Sequence, residues 1–141
     1  MRKLILAAAA LSLSASATAQ SAQERLDTRY DRALAAGYKA LFLCSAIANA
    51  EANGATRTPE SVHEWELTGI QQPLDGIVRD LAYDIRRREG VVTEVRVPFA
   101  DDMPPRIGAV RGGTDGGCFL KPIGASGTWA SMASTAGERD D

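Results

Sequence analysis

Few residues in this chain are of a type and spacing that could do chemistry. His63, the only histidine, stands between Val62 and Glu64 with Glu66 close by, a set able in principle to exchange protons. On an amphipathic helix those positions face solvent, and that is the expectation for them. Asp101 and Asp102 precede Met103-Pro104, but a calcium ion needs several more oxygen ligands, so the pair reads as a solvated turn. The run Gly112-Gly113-Thr114-Asp115-Gly116-Gly117 has the glycine content of a phosphate-cradling loop. It lacks the Gly-Lys-Ser/Thr ending and leads into no helix, so it reads as a hairpin turn. Cys118 would be a nucleophile only as a thiolate, and no histidine lies within motif distance of it.

The serine chemistries fare no better. There is no Gly-x-Ser-x-Gly elbow, no Lys-Thr-Gly and no Tyr-x-Asn. A Ser-x-x-Lys pair is missing too, since Ala36 stands three residues before Lys39 and Cys118 three before Lys121. Neither Cys-x-x-Cys nor His-x-x-x-His spacing occurs, which leaves no metal set. The expectation is therefore no catalytic residue, no cofactor and no metal ligand.

What the first residues do predict is an address. Arg2 and Lys3 give a positive start, Leu4 to Leu13 form an apolar stretch, and Ala17-Thr18-Ala19 is a small-residue cleavage site. The expected cut falls between Ala19 and Gln20. The apolar run is about half of the ~20 residues needed to span a bilayer, which favours a signal peptide over an anchor. Arg2 and Lys3 leave with the signal, so 14 of 16 basic residues remain against 18 acidic ones, a net charge of −4 in place of −2. The one basic cluster, Arg86-Arg87-Arg88, has acidic neighbours, so no nucleic-acid partner is expected. No membrane is expected after cleavage either. The address implied is the periplasm or the exterior.

Export bears on the two cysteines. In an oxidising compartment Cys44 and Cys118 most simply pair with each other, the alternative being two independent thiols. Closing so long a loop is worth about 4 kcal/mol in the chain-entropy account.

The elements that would position these residues fall in a clear order. Residues 21–52 read as helix, with Leu26, Tyr30, Ala33, Leu34, Gly37, Tyr38, Leu41, Phe42 and Ser45 at three-and-four spacing and charged residues opposite. Gly37 is a candidate break, after which Leu41, Phe42, Leu43, Cys44 and Ile47 make the next part apolar nearly all round and the most buried element. Asn53-Gly54 ends it. Thr58-Pro59-Glu60 has the signature of a helix start, and the short helix it opens should bury Val62, Trp65 or Leu67. Residues 74–81 read as irregular or helical, and 82–87 as a strand. The turn Arg88-Glu89-Gly90 leads to a strand with Val91, Thr93, Val95, Val97 and Phe99 on one side. Arg106 to Arg111 and Cys118 to Leu120 make two more strands. The chain thus reads as α+β: N-terminal helices packed on a small antiparallel β-meander, with one disulfide. Its organisation reads as a signal at 1–19, one domain over 20–124 and a flexible tail over 125–141.

Two stretches resemble a known family. Gly37-Tyr38-Lys39-Ala40-Leu41-Phe42-Leu43-Cys44-Ser45, with Arg57-Thr58-Pro59-Glu60 and Trp65-Glu66-Leu67, is the first. Val95 to Ile107, with Arg111 to Cys118 and Leu120-Lys121-Pro122, is the second. Both resemble the region that precedes the catalytic domain in periplasmic beta-lactamase-related serine hydrolases, the class C-like group that includes 6-aminohexanoate-dimer hydrolases. The resemblance covers residues 36–124 and includes none of the family's catalytic motifs. It implies a periplasmic address, the Cys44–Cys118 pair, and a partner in the form of a hydrolase domain. The chain ends at Asp141, about where that domain would begin, so a truncated hydrolase is one expectation. A stand-alone periplasmic binding or interaction module, with Trp65, Trp129 and the Asp101–Pro105 loop as its surface, is the other.

Overall fold

The structure is a computed structural model that describes residues 2–112 and 117–127, with side chains from Ala19 onward. Three helices, α1 (Arg2–Ala52), α2 (Pro59–Trp65) and α3 (Leu74–Asp80), precede four strands. These are β1 (Asp84–Arg88), β2 (Val91–Val97), β3 (Arg106–Val110) and β4 (Cys118–Leu120). They form one antiparallel sheet in the order β1-β2-β3-β4, the meander that was expected. The fold is α+β. Two compact units are distinguished, Met1–Tyr30, which is helical, and Asp31–Asp141, which holds the sheet. Residues 113–116 of the glycine-rich turn and 128–141 of the expected tail, Trp129 included, lie outside the described residues.

Gly37 does not break the helix. It sits inside α1, where glycine costs about 1 kcal/mol relative to alanine. The reason is the space across from it. A Cβ on Gly37 would stand 3.2 Å from Leu120 Cδ2 and 3.4 Å from the Arg106 guanidinium. Opposite, Gly108 of β3 lies so close to α1 that a Cβ there would be 2.3 Å from the Ala40 carbonyl oxygen. Helix and strand therefore touch backbone to backbone, and only small residues fit the seam.

That seam corrects the predicted core face. Ala35, Ala36, Ala40, Leu43, Cys44, Ile47 and Ala48 are buried. The larger residues expected inside are turned outward, with Tyr38 44 % exposed and Leu34 and Phe42 also exposed. Leu26 and Tyr30, in the first unit, are exposed too. The three-and-four spacing was right for a helix, but two faces of this helix carry apolar residues, and sheet proximity selects the smaller set. Between Ala19 and Ala52 α1 is long and apolar enough to cross a membrane by composition, yet half of its most apolar window is buried within the protein.

The short helices follow their local signals. Thr58 caps α2 by accepting a hydrogen bond from the Ser61 amide at 3.2 Å, and Pro59 sits in the first turn. Val62 and Leu67 are buried, whereas Trp65 is 70 % exposed and faces away. α3 resolves the ambiguity over residues 74–81 in favour of helix.

The β1–β2 hairpin turns at Glu89 and Gly90, both at positive φ (54° and 86°), the backbone a two-residue turn between twisted strands requires. Within the hairpin Arg86 pairs with Glu94 and Arg87 with Val92, so Thr93 is an extra residue. Its hydroxyl donates to the Arg86 carbonyl at 3.1 Å. The bulge overturns the strict alternation expected for Val91, Thr93, Val95 and Val97. Val92, Val95 and Val97 enter the core, and Val91 is left 54 % exposed.

Two ties hold α1 to the sheet besides packing. Glu51, in the last turn, accepts from the Val92 amide at 2.9 Å and from Arg87 at 2.5 Å. A carboxylate at a helix C-terminus opposes the dipole, and the Arg87 charge offsets this. The second tie is the Cys44–Cys118 disulfide, with Cα atoms 6.0 Å apart. It joins α1 to β4, so the independent-thiol alternative is set aside.

The seam makes a sharp prediction. Gly108→Ala should lower stability by about 1–3 kcal/mol, because the new methyl has backbone, not a yielding side chain, in its way. Gly76→Ala, in α3 with nothing within 4 Å, should instead raise it by about 0.5–1 kcal/mol. Urea melts of the two variants decide this, and equal behaviour would remove the seam argument.

Candidate functional site

Two clusters of polar side chains gather in the folded chain. The first is built on Lys39, whose side chain enters the apolar face of α1 and is 1 % exposed. Its ammonium donates to the carbonyls of Val78 (2.9 Å), Leu81 (2.5 Å) and, at longer range, Arg79 (3.4 Å). These are the carbonyls that end α3 and lack partners within their own helix, so Lys39 is the cap of α3 from outside. Its Nζ also lies 5.1 Å from the Tyr83 ring centroid, a cation–π distance. Burial lowers its pKa, against the raising effect of Asp80. With all three N–H bonds spent on carbonyls, this lysine has none left for a substrate.

His63 stacks obliquely on the same Tyr83, with centroids 5.6 Å apart. Its Nδ1 lies 2.8 Å from the Pro59 carbonyl, which can only accept, so Nδ1 carries the proton and Nε2 keeps a lone pair. Nε2 is shielded and has no hydrogen-bond partner among the described residues. The expectation that His63, Glu64 and Glu66 all face solvent holds for Glu64 alone. His63 is half-buried because Tyr83 covers it, and Glu66 is drawn aside by an ion pair with Arg57. Burial first, then the Lys39 charge, holds His63 below its ordinary 6.5, against the Pro59 carbonyl and Glu60.

The second cluster lies on the face of the sheet turned away from α1. The register puts Arg86, Glu94, Ala109 and Phe119 in one row across the four strands. Strand alternation divides the arginine triplet: Arg87 goes to Glu51 on the helix side, Arg86 and Arg88 to the open side. There a cavity of about 860 Å³ is rimmed by Arg86, Arg88, Arg96 and Lys121. Val91, Ala109 and Phe119 supply apolar lining.

Glu94 is the one carboxylate in that lining among the described residues. One oxygen accepts from Arg96 Nη2 at 2.8 Å and Nε at 3.1 Å, and the other accepts from Lys121 Nζ at 2.6 Å. Burial acts to raise the Glu94 pKa, but the hydrogen bonds and charges of Lys121 and Arg96 outweigh it and hold the group below the usual glutamate value. Arg86 pairs with Asp84 at 2.6 Å. Arg88 makes no hydrogen bond or ion pair among the described residues. The rim is cationic on a chain whose net charge is −2.

Other predicted site residues stay apart. Ala19 and Gln20, the expected cleavage pair, are exposed within α1. Asp101 and Asp102 are exposed at a turn. Cys118 is held in the disulfide and is no nucleophile. No group of His, Cys, Asp and Glu among the described residues is arranged to hold a metal ion. Lys39, Tyr83, Glu94, Arg96 and Lys121 were not singled out in the sequence. The available signal for Lys39 was a lone lysine between Ala35-Ala36 and Leu43-Cys44, on a stretch otherwise apolar. No protein-family model, curated protein or solved structure matches the chain.

Two predictions come from the first cluster. Lys39→Met keeps most of the packing but strands the Val78 and Leu81 carbonyls, and should cost about 2 kcal/mol in chemical denaturation. A loss below a few tenths would refute the capping role. For His63 the folded pKa lies below the unfolded one, so its contribution is present above pH 6.5 and is lost as the pH falls through the folded value. Stability should drop as the pH falls below 6.5 in the native protein and drop less in His63→Gln. An unchanged slope in the variant would assign the loss to other groups.

Proposed function

We propose that this chain is an exported, non-catalytic binding module that takes an anionic ligand on the open face of its sheet. The observation that carries the reading is the cavity of about 860 Å³, rimmed among the described residues by four cations and one carboxylate. Its volume is in the range of ligand sites, and arginine is suited to bidentate recognition of carboxylate or phosphate. Two groups with reactive potential are otherwise engaged, Lys39 in capping and Cys118 in the disulfide.

Export to the periplasm or the exterior belongs to the same proposal. It is supported by the basic start and apolar run before Ala19-Gln20, and by a disulfide of the kind that persists in oxidising compartments.

A second reading is favoured by a different observation. Leu34, Tyr38 and Phe42 stand in line on the outer side of α1, and the Tyr38 and Phe42 rings stack at 6.0 Å. An exposed apolar line of this kind is suited to cover by another domain or protein. In that reading the chain packs against, or modulates access to, a hydrolase domain of the beta-lactamase-related type.

Two measurements test the leading reading. The protein recovered from a secreting host should begin at Gln20 and have both cysteines protected from alkylation until reduced; a retained Met1 or two free thiols would defeat the export claim. In amide NMR, dodecyl phosphate should shift the resonances of Arg86, Arg88, Arg96 and Lys121, while dodecyltrimethylammonium leaves them in place. If no anion shifts them, the binding claim fails.

A further inference from the structure

We infer that the anionic ligand is an acidic segment of a partner protein, added as a fifth strand along the free edge of β1 with its carboxylates beside Arg86 and Arg88. The inference rests on the anion-binding reading above and names the kind of ligand and the way it is held.

β1 is an edge strand, since the sheet runs β1-β2-β3-β4 and β1 pairs with β2 alone. The opposite edge, β4, is three residues long and is tied to α1 through the Cys118 disulfide. β1 has five residues, all exposed except the half-buried Ile85. The Arg86 carbonyl points towards β2, where the Thr93 hydroxyl donates to it. Along an antiparallel strand successive residues turn their N–H and C=O groups to alternate sides, so those of Ile85 and Arg87 lie on the outer edge. Among the described residues no backbone group from outside the sheet bonds to them. An extended segment laid along β1 pairs with these four groups, the main-chain bonding of strand addition.

The side chains of β1 decide which segment fits. Asp84, Arg86 and Arg88 alternate onto the open face, while Arg87 goes to the helix side and is held by Glu51. An added strand sets one side chain directly opposite each of them. The positions opposite Arg86 and Arg88 are two residues apart, about 7 Å, and share a face. Acids at both answer two cations, of which Arg86 alone has an ion-pair partner among the described residues, Asp84. Ile85 packs against the core, so the position opposite it suits an apolar residue. The segment therefore reads apolar-acid-x-acid, or the same order reversed. A second copy of β1 meets its own charge, because Arg86 and Arg88 outnumber Asp84 on that face. The arginines thus select among the strands that an open edge would otherwise admit.

Fluorescence anisotropy on the processed, disulfide-bonded protein tests this with the labelled peptide acetyl-Thr-Ile-Glu-Val-Glu-Ile-Thr-amide, whose palindromic order serves either strand direction. Replacing both Glu by Lys, or N-methylating the Ile and Val amides that face β1, should each weaken binding tenfold or more. Arg88→Glu should weaken the acidic peptide at least fivefold and bind the lysine peptide at least fivefold more tightly than the native protein does. Arg79→Glu, the same charge change on α3, should leave both peptides within twofold. At saturation the Ile85 and Arg87 amides should exchange with deuterium at least tenfold more slowly. Equal affinity for the N-methylated peptide, or binding without protection of those two amides, would overturn the inference. So would protection of both amides in the protein alone where it sediments as a dimer, which makes the occupant a second copy. If the peptide does not bind but dodecyl phosphate still shifts the four cations, the inference falls and the anion-binding reading stands. If neither binds, both fall.

Discussion

The contact on which the rest of this structure depends is between backbones: Gly108 of β3 against the Ala40 carbonyl of α1, with no room for a Cβ. Packing at that distance requires small residues along the whole seam, and Ala35, Ala36, Gly37 and Ala40 supply them. It also determines which side of α1 is inside. The face that meets the sheet is the one with small residues, so Leu34, Tyr38 and Phe42 are left on the outside despite their larger apolar area. Leu43 and Ile47 fill the core only where the helix moves on towards the β1–β2 hairpin. Cys44 lies beside Gly108 in the seam, and its disulfide to β4 holds the same approach covalently.

A helix lying this close to the sheet leaves little room for polar atoms, which makes Lys39 the exception to account for. Its burial is tolerated because it meets acceptors that would otherwise be stranded. The end of α3 presents carbonyls with no intrahelical partner, and the lysine supplies the donors. One long side chain thereby fixes α3 to α1 and brings Tyr83 and His63 into a small stack at the same place. The cluster holds elements together, and its titratable members are shifted by burial as a consequence of that role.

The outer sheet face has a different origin. Nothing packs on it from α1, so residues there are free to be charged, and alternation along β1 sends Arg86 and Arg88 one way and Arg87 the other. A single extra residue in β2 then sets which valine joins them. The lining of the cavity is therefore a product of register: cations from β1 and β2 beside Val91, which the bulge exposes.

Much of the fold was legible in the residues themselves. Cap and turn signals such as Thr58-Pro59 and Glu89-Gly90 act within a few residues, as does the β-branched run from Val91 to Val97 that marks a strand, so they can be read without the partner element. The pairing of Cys44 with Cys118 followed from there being two cysteines in a chain whose first residues read as an export signal. What could not be read locally was which of two apolar faces of α1 is buried, since both have helical spacing and only the closeness of β3 decides between them. The bulge at Thr93 was hidden for the same reason, because a strand's register is set by its neighbour. The candidate site was hidden most completely. Arg86, Glu94, Arg96 and Lys121 are scattered along the chain and form no motif, and only the pairing of the four strands brings their charges to one face.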